Sequence, residues 1–332
     1  MVMEPPYLLF LGDVGDQLAA KTASGIVHWR PERCFGQLRL PGCRADLGLP
    51  DRTVAEARAA GVRTFVIGVA NSGGILAESW IDSILEAIAA GMDVASGLHM
   101  KLADIPRIAE AARARGVRLL DVRHPDRRFA TGTGRRRPGR RLLTVGTDCS
   151  CGKMYTALAI EREMKRRGMK ATFRATGQTG IMIAGEGVAI DAVVADFISG
   201  AVEWLAPDNE PDHWDVIEGQ GSLFHPAFAG VSLGLLHGAQ PDALVLCHEP
   251  TRRHMRGLPH QPLPEVEECM ELNLKAARLT NPEARFLGLS VNSSGLTEAE
   301  RDRLFGELRE RTGLPVVDPF VSGVTALVDR LA

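Results

Sequence analysis

The chain of 332 residues has little net charge, no obvious membrane segment and no second cysteine pair, and each shortage excludes a class of function. Its 39 basic and 41 acidic residues leave a formal charge of -2, which supplies no general attraction for nucleic acid or for a membrane surface. Any basic effect must be local. The apolar run Tyr7 to Leu11 falls far short of the roughly 20 residues a spanning helix needs, and Met1 to Pro6 carries no basic region of a secretory leader. A cytoplasmic protein is expected. The six cysteines are scattered through a chain that needs no staples, so reduced thiols are expected. Cys149-Ser150-Cys151 is too tight for an ordinary zinc pair and has no second pair to complete it. No metal is therefore expected, and the cysteines read as small residues of a tight loop. Beside Lys153 and a helix start, Cys149 or Cys151 is expected to be more acidic than an ordinary thiol.

A third glycine is also missing from Gly12-Asp13-Val14-Gly15, the loop after the first apolar run. Without it the dinucleotide fingerprint is incomplete, and a nicotinamide-dependent dehydrogenase is a poor reading. The pair of glycines is taken as structural.

What is present begins with an ordinary globular composition, 45% hydrophobic and 24% charged, at a length that implies two domains. The most informative stretch is Leu142-Leu143-Thr144-Val145-Gly146-Thr147-Asp148-Cys149-Ser150-Cys151-Gly152-Lys153-Met154. An apolar strand runs into a glycine-bounded loop ending in Gly-Lys, and a helical run from Tyr155 to Arg167 follows. Backbone N–H groups in such a turn, with the positive end of the next helix and the Lys153 ammonium, make a concave anion site. Gly146, Thr147, Asp148, Cys149, Ser150, Cys151, Gly152, Lys153 and Met154 are therefore the expected phosphate-binding residues. Met154 stands where a Walker A loop has Ser or Thr, so the hydroxyl that would hold Mg²⁺ is missing.

On either side of this loop the chain alternates strands and helices. Arg63 to Val69, Asp93 to His99 and Arg118 to Val122 read as strands, with helices over Val54 to Ala60, Ser79 to Ala90 and Ile105 to Arg115. The stretch Ile26 to Pro50 reads as less regular. Strands joined by helices of this length imply a parallel sheet whose ligands lie at the carboxyl ends of its strands. That rim would carry Asn71, Ser72, Gly73, Gly74, Ser96, His99 and Arg123, each equally readable as a turn or capping residue.

The run Phe129 to Arg141 has no apolar period and is dominated by Gly, Pro and Arg. It reads as a solvated connector. Beyond it, strands over Lys170 to Thr176, His213 to Glu218, Asp242 to Cys247 and Phe286 to Val291 each end in polar or glycine residues. The fold class expected is α/β. A Rossmann-like parallel-sheet domain over residues 1–126 and a linker over 127–141 precede a P-loop NTPase-like parallel-sheet domain over 142–332.

Gly146-Thr147-Asp148 with Gly152-Lys153 resembles the phosphate loop of dethiobiotin synthetase, and Ile217-Glu218-Gly219-Gln220-Gly221 resembles that enzyme's second acidic motif. Asn292 sits where the wider class places an asparagine that reads a base. The whole chain more closely resembles a P-loop family of unknown function whose characterised members are D-glutamate N-acetyltransferases. The matching motifs are GTDCSCGKM, FRATGQTG at 173 to 180, DFISGAVE at 196 to 203 and VIEGQGSLFHP at 216 to 226. The resemblance implies an acetyl-CoA-dependent N-acetyltransferase acting on an acidic amino acid, D-glutamate, in D-amino acid catabolism. Small-molecule substrates, no nucleic acid, no membrane and a homo-oligomer are expected.

Acetyl-CoA offers a diphosphate and needs no catalytic metal, which suits a loop lacking its magnesium hydroxyl. Thr156 points to a different side of the helix and does not replace it. Acyl transfer to an amine requires a base, and Glu218 and His225 are the candidates. A dicarboxylate acceptor calls for guanidinium forks, for which Arg174, Arg252 and Arg253 are the candidates, and Gln178 is a further expected substrate-binding residue. The cluster Arg252 to Arg256 leads into Gly257, Pro259 and Pro262, the composition of a covering loop. Asp196 reads as a cap for a helix over Phe197 to Trp204, and Thr297 with Glu300 as a capping box. The helix over Pro264 to Leu279 reads as packing through Val266, Met270, Leu272 and Leu274. The alternatives are an ATP- and Mg²⁺-dependent ligase or kinase of the dethiobiotin synthetase kind, and a nucleotide-binding protein without turnover.

Overall fold

The computed structural model of the protein describes residues 2–70, 74–125 and 127–331. Asn71, Ser72 and Gly73 of the expected rim lie outside the described residues. The chain forms two compact units: residues 1–128 with 177–192, and residues 129–176 with 193–332.

The first unit is a five-stranded sheet in the order β2-β1-β3-β4-β5, formed by β1 (Tyr7–Gly12), β2 (Cys34–Arg39), β3 (Thr64–Ile67), β4 (Asp93–Ser96) and β5 (Leu119–Asp121). Every neighbouring pair is parallel. β1 and β3 are buried along their whole length, as strands covered on both faces must be, which is why both read as unbroken apolar runs. Helices α1 (Lys21–Trp29), α2 (Val54–Ala59), α3 (Ile81–Ala89) and α4 (Pro106–Arg115) connect or flank them. The stretch expected to be irregular, Ile26 to Pro50, holds the last turn of α1 and all of β2. β2 is half-buried at the sheet edge, and Gly36 and Gln37 interrupt its apolar pattern.

The second unit has six parallel strands in the order β13-β12-β9-β6-β8-β7. In chain order its elements are β6 (Arg140–Gly146), α5 (Lys153–Arg166), β7 (Ala171–Arg174), α7 (Ile198–Leu205), β8 (Trp214–Ile217), α8 (Ala229–Ala239) and β9 (Ala243–His248). The hairpin β10 (His254–Met255) and β11 (Leu258–Pro262), α9 (Val266–Arg278), β12 (Arg285–Val291), α10 (Glu298–Thr312), β13 (Val316–Val317) and α11 (Thr325–Val328) complete it. Between β7 and α7 the chain leaves this unit to form α6 (Gln178–Ala184), which packs on α1 in the first. The strand order reverses at β6: β8 and β7 lie on one side, and β9, β12 and β13 on the other. A reversal of this kind opens a crevice beyond the carboxyl end of the strand, where the Gly146 to Lys153 loop sits.

Four local expectations need correction. The connector is exposed and without regular structure over residues 130–136, as expected, but Arg137 and Arg141 are buried, Arg137 donating to the Gly238 carbonyl at 2.6 Å and Arg141 to the Arg137 carbonyl at 2.9 Å. Earlier in it, the N–H groups of Thr133 and Gly134 donate to Glu203. Asp196 does not cap α7, whose N-cap is Phe197 without a side-chain bond. Arg123 of the expected rim is paired with Asp191 at 3.3 Å. In α9, Val266 is buried as expected, Leu272 is exposed, and Cys269, Asn273, Ala276 and Ala277 complete the buried side. The Thr297–Glu300 capping box is present. Among the described residues no helix is long and apolar enough to cross a membrane.

Candidate functional site

The loop between β6 and α5 is built by main-chain geometry. Thr147 N–H carries the sheet ladder one residue further by donating to the Cys247 carbonyl of β9 at 3.1 Å. Ser150 has φ 52° and Gly152 φ 101°, so the backbone turns back through the left-handed region before α5 begins at Lys153. Gly152 accepts this without a steric penalty; Ser150 tolerates it as a small polar residue. The first turn of α5 receives no side-chain cap, so its leading N–H groups are not spent on a neighbouring side chain. Lys153 is buried, and its Nζ donates to the Asp148 carbonyl at 2.7 Å. Thr156 is committed elsewhere, its hydroxyl lying 2.7 Å from Ser290 Oγ.

Asp148 is the hub of the loop. Its carboxylate is fully buried and accepts the Cys149 N–H at 2.6 Å, the Arg256 N–H at 2.8 Å and Arg252 Nη1 at 3.0 Å. The same Arg252 guanidinium donates to the carbonyls of Cys149 at 2.6 Å and Ser150 at 2.8 Å. Arg256 Nη1 hydrogen-bonds Ser150 Oγ. The basic cluster after β9 is thus fastened onto the loop. Nothing in the residue pattern showed Asp148 as its anchor.

Glu218 follows β8 and is buried; its Oε2 accepts the Thr176 N–H at 2.9 Å, and its carbonyl accepts the Thr176 hydroxyl at 2.7 Å. Gln220 Nε2 donates to that hydroxyl at 3.1 Å. Gly219 passes so close to β6 that a Cβ there would stand 1.7 Å from the Thr144 carbonyl oxygen and 2.9 Å from Lys153 Cδ. The Glu-Gly sequence therefore lets β8 pass directly under the loop. His225 is buried with both ring nitrogens engaged: Ala227 N–H donates to Nδ1 at 3.2 Å, and Nε2 lies 3.2 Å from the Arg256 carbonyl. Its ring packs against Phe228.

Of the residues expected to bind an acceptor, Arg174 is half-buried with its Nε paired to Asp215 at 2.7 Å. Arg252 is spent on the loop as described. Arg253 is exposed, and among the described residues its guanidinium has no hydrogen-bond partner. Gln178 opens α6 in the first unit and packs against Gly97. Asn292, at the end of β12, donates to Glu249 at 2.6 Å. His248, one residue earlier on the neighbouring strand, lies 3.1 Å from the Thr147 hydroxyl.

Cys149 is half-buried, and desolvation pushes its thiol up rather than down, outweighing Lys153. The expectation of an acidic Cys149 is corrected on that ground: burial of a thiolate costs more than a nearby ammonium returns. Asp148, Cys149 and His225 each offer a ligand atom within 4.8 Å of the others. Asp148 already carries a guanidinium and two main-chain donors, so a cation there would compete with Arg252.

The sheet order, the glycine-bounded loop and the uncapped helix behind it define an α/β protein of the P-loop class joined to a Rossmann-like unit. The chain belongs to the DUF1611 family. Residues 128–328 match the family model described as "Domain of unknown function (DUF1611_C) P-loop domain", and residues 38–125 match "Domain of unknown function (DUF1611_N) Rossmann-like domain". A protein of Tritonibacter scottomollicae named D-glutamate N-acetyltransferase is 54% identical over 331 residues, covering 100% of this chain and 99% of that one. A protein of the same name from a Pseudoalteromonas species is 53% identical over 331 residues, covering 100% of both chains. The crystal structure of a DUF1611 family protein from Anabaena variabilis superposes with a TM-score of 0.83 at 31% identity, covering 98% of each chain.

Proposed function

We propose that this protein is a D-glutamate N-acetyltransferase that moves the acetyl group of acetyl-CoA onto the amino group of the acid. Identity of 54% and 53% to two proteins of that name, sustained over the full chain, carries the reading. Acetyl-CoA is the donor. Its diphosphate lies on the N–H groups of Gly146 to Met154 and the start of α5, with Lys153 turning from the Asp148 carbonyl onto a phosphate oxygen. A loop with Met154 in place of the magnesium hydroxyl suits a diphosphate that is gripped but never cleaved. Asn292 borders the same strand edge, where the adenine end of the carrier would lie.

Transfer needs the acceptor ammonium to lose a proton before its nitrogen attacks the thioester carbonyl. Glu218 takes that proton, the pantetheine arm folding back along the strand edge to bring the thioester there. The nitrogen–carbon bond forms as the carbon–sulfur bond breaks, and CoA leaves as a thiolate that takes up the second proton given up by the attacking nitrogen. No step uses a divalent ion.

The test is release of free thiol from acetyl-CoA with a panel of D- and L-amino acids, in the presence and absence of EDTA. D-glutamate is expected to give N-acetyl-D-glutamate by mass spectrometry with no loss of rate in EDTA, and Glu218→Gln is expected to slow turnover about 10²–10⁴-fold. Hydrolysis of MgATP with no acetylated product would replace this reading with a nucleotide-hydrolysing one.

A further inference from the structure

The peptide units on both sides of Arg256 are held by buried groups. Its N–H donates to Asp148 Oδ2 at 2.8 Å, and its carbonyl lies 3.2 Å from His225 Nε2. The tautomer of His225 follows from its other partner. Because Ala227 N–H donates to Nδ1, the ring proton is on Nε2 and is given to the Arg256 carbonyl. Arg252 adds bonds to Asp148, Cys149 and Ser150, so residues 252–256 are locked to the phosphate loop from three directions. Arg253, His254 and Arg256 themselves are exposed. A buried carboxylate and a buried imidazole are thus committed to fixing the backbone of a segment in which Met255 is buried and the side chains of Arg253, His254 and Arg256 face water. That arrangement suits a turn that must present its guanidinium groups in one geometry. Two are available: among the described residues the Arg253 guanidinium has no hydrogen-bond partner, only the Arg253 carbonyl being engaged, by Leu263 N–H, and Arg256 rests on a neutral hydroxyl, a weaker partner than a carboxylate.

We propose that Asp148 and His225 are positioning residues that hold residues 252–256 as a carboxylate reader, and that Arg253 and Arg256 on it select an acceptor with a second carboxylate. The proposal rests on the N-acetyltransferase reading for its substrate and gives His225 a structural N–H in place of a role in proton transfer. The ligand class is a short dicarboxylic amino acid. An acceptor with an apolar side chain forgoes the charge-assisted bonds that a second carboxylate would make to the two guanidinium groups, and that difference is the discrimination.

The experiment compares His225→Gln, His225→Ala, Asp148→Asn and Arg253→Ala with the parent protein, reading kcat and KM for D-glutamate and D-alanine, the pH profile, and amide hydrogen exchange of residues 252–256. Glutamine keeps an N–H donor but has no basic nitrogen, so His225→Gln is expected to rescue what His225→Ala loses and to leave the pH profile in place. Arg253→Ala is expected to raise the KM for D-glutamate about tenfold to a hundredfold and to erase the preference over D-alanine. Amide exchange in 252–256 is expected to accelerate in His225→Ala and Asp148→Asn. Loss of kcat in His225→Gln as deep as in His225→Ala, with a changed pH profile, would make the imidazole a proton carrier and overturn the proposal. So would an Arg253→Ala protein with an unmoved KM for D-glutamate. Failure of the parent protein to acetylate any amino acid strikes the enzymatic reading instead, and the exchange data still decide whether Asp148 and His225 hold the turn.

Discussion

The ammonium of Lys153 lies 2.7 Å from the main-chain carbonyl of Asp148, so the one mobile charge of the phosphate loop is folded back onto the loop itself. A diphosphate entering the cradle offers that ammonium a charged partner in place of a neutral one. Charge-assisted bonds of this type contribute about 1.5–3 kcal/mol, and Lys153→Ala is expected to weaken acetyl-CoA binding by roughly ten- to a hundredfold. Calorimetric titration with a non-transferable acetyl-CoA analogue measures it. Unchanged affinity would remove the diphosphate from this loop.

The close pass of β8 beneath the loop makes Gly219 intolerant of any side chain. A methyl group placed 1.7 Å from the Thr144 carbonyl oxygen forces either β6 or the β8 end to move. Overpacking of a rigid strand contact costs about 1–3 kcal/mol and more where backbone must shift. Gly219→Ala is expected to lower the urea midpoint of the P-loop unit and to loosen acetyl-CoA binding together, since Lys153 Cδ is the next atom it would meet. Wild-type stability in that variant would show that the strand does not pass so close.

Thiol labelling tests the burial around the loop. Desolvation pushes Cys247 and Cys269 up to about 12, and Cys149 is raised as well. With Ellman's reagent near pH 8, Cys247 and Cys269 are expected to stay unmodified in the native protein and to react after denaturation. Peptide mass mapping reads each site. Rapid native labelling of Cys247 would contradict its position between Thr156 and the loop.

Two histidines set a pH dependence of stability. Burial holds His213 and His248 below their ordinary value of 6.5, each beside a threonine hydroxyl. Above that value the rings are neutral in both the folded and the unfolded chain and leave stability untouched. As pH falls below it, the unfolded chain binds protons that the folded chain does not, and stability declines until the folded pKa is passed. The urea midpoint is expected to fall as pH is lowered through 6.5, less steeply in His248→Gln. An equal slope in the variant would show that His248 titrates normally.

The strands and helices read best where apolar spacing alone decides them. The fully buried β1 and β3 and the capping box at Thr297 follow directly from residue type. β2 was hidden because an edge strand half-exposed and rich in Gly, Gln and Arg has no apolar period to find. Arg137 and Arg141 were hidden for the opposite reason: arginines read as solvent-facing until a fold supplies carbonyls to receive them.

The phosphate loop, its missing magnesium hydroxyl and the family were determined by the sequence, because backbone turns of this kind demand glycine and lysine at fixed spacing whatever surrounds them. The partners of each charged side chain were decided only by the tertiary structure. Asp148 meets Arg252 and Arg256 from more than 100 residues away, and Arg174 meets Asp215 rather than solvent. Hydrogen bonds between distant segments depend on where the sheet order brings strand ends together, which no local pattern of residues records.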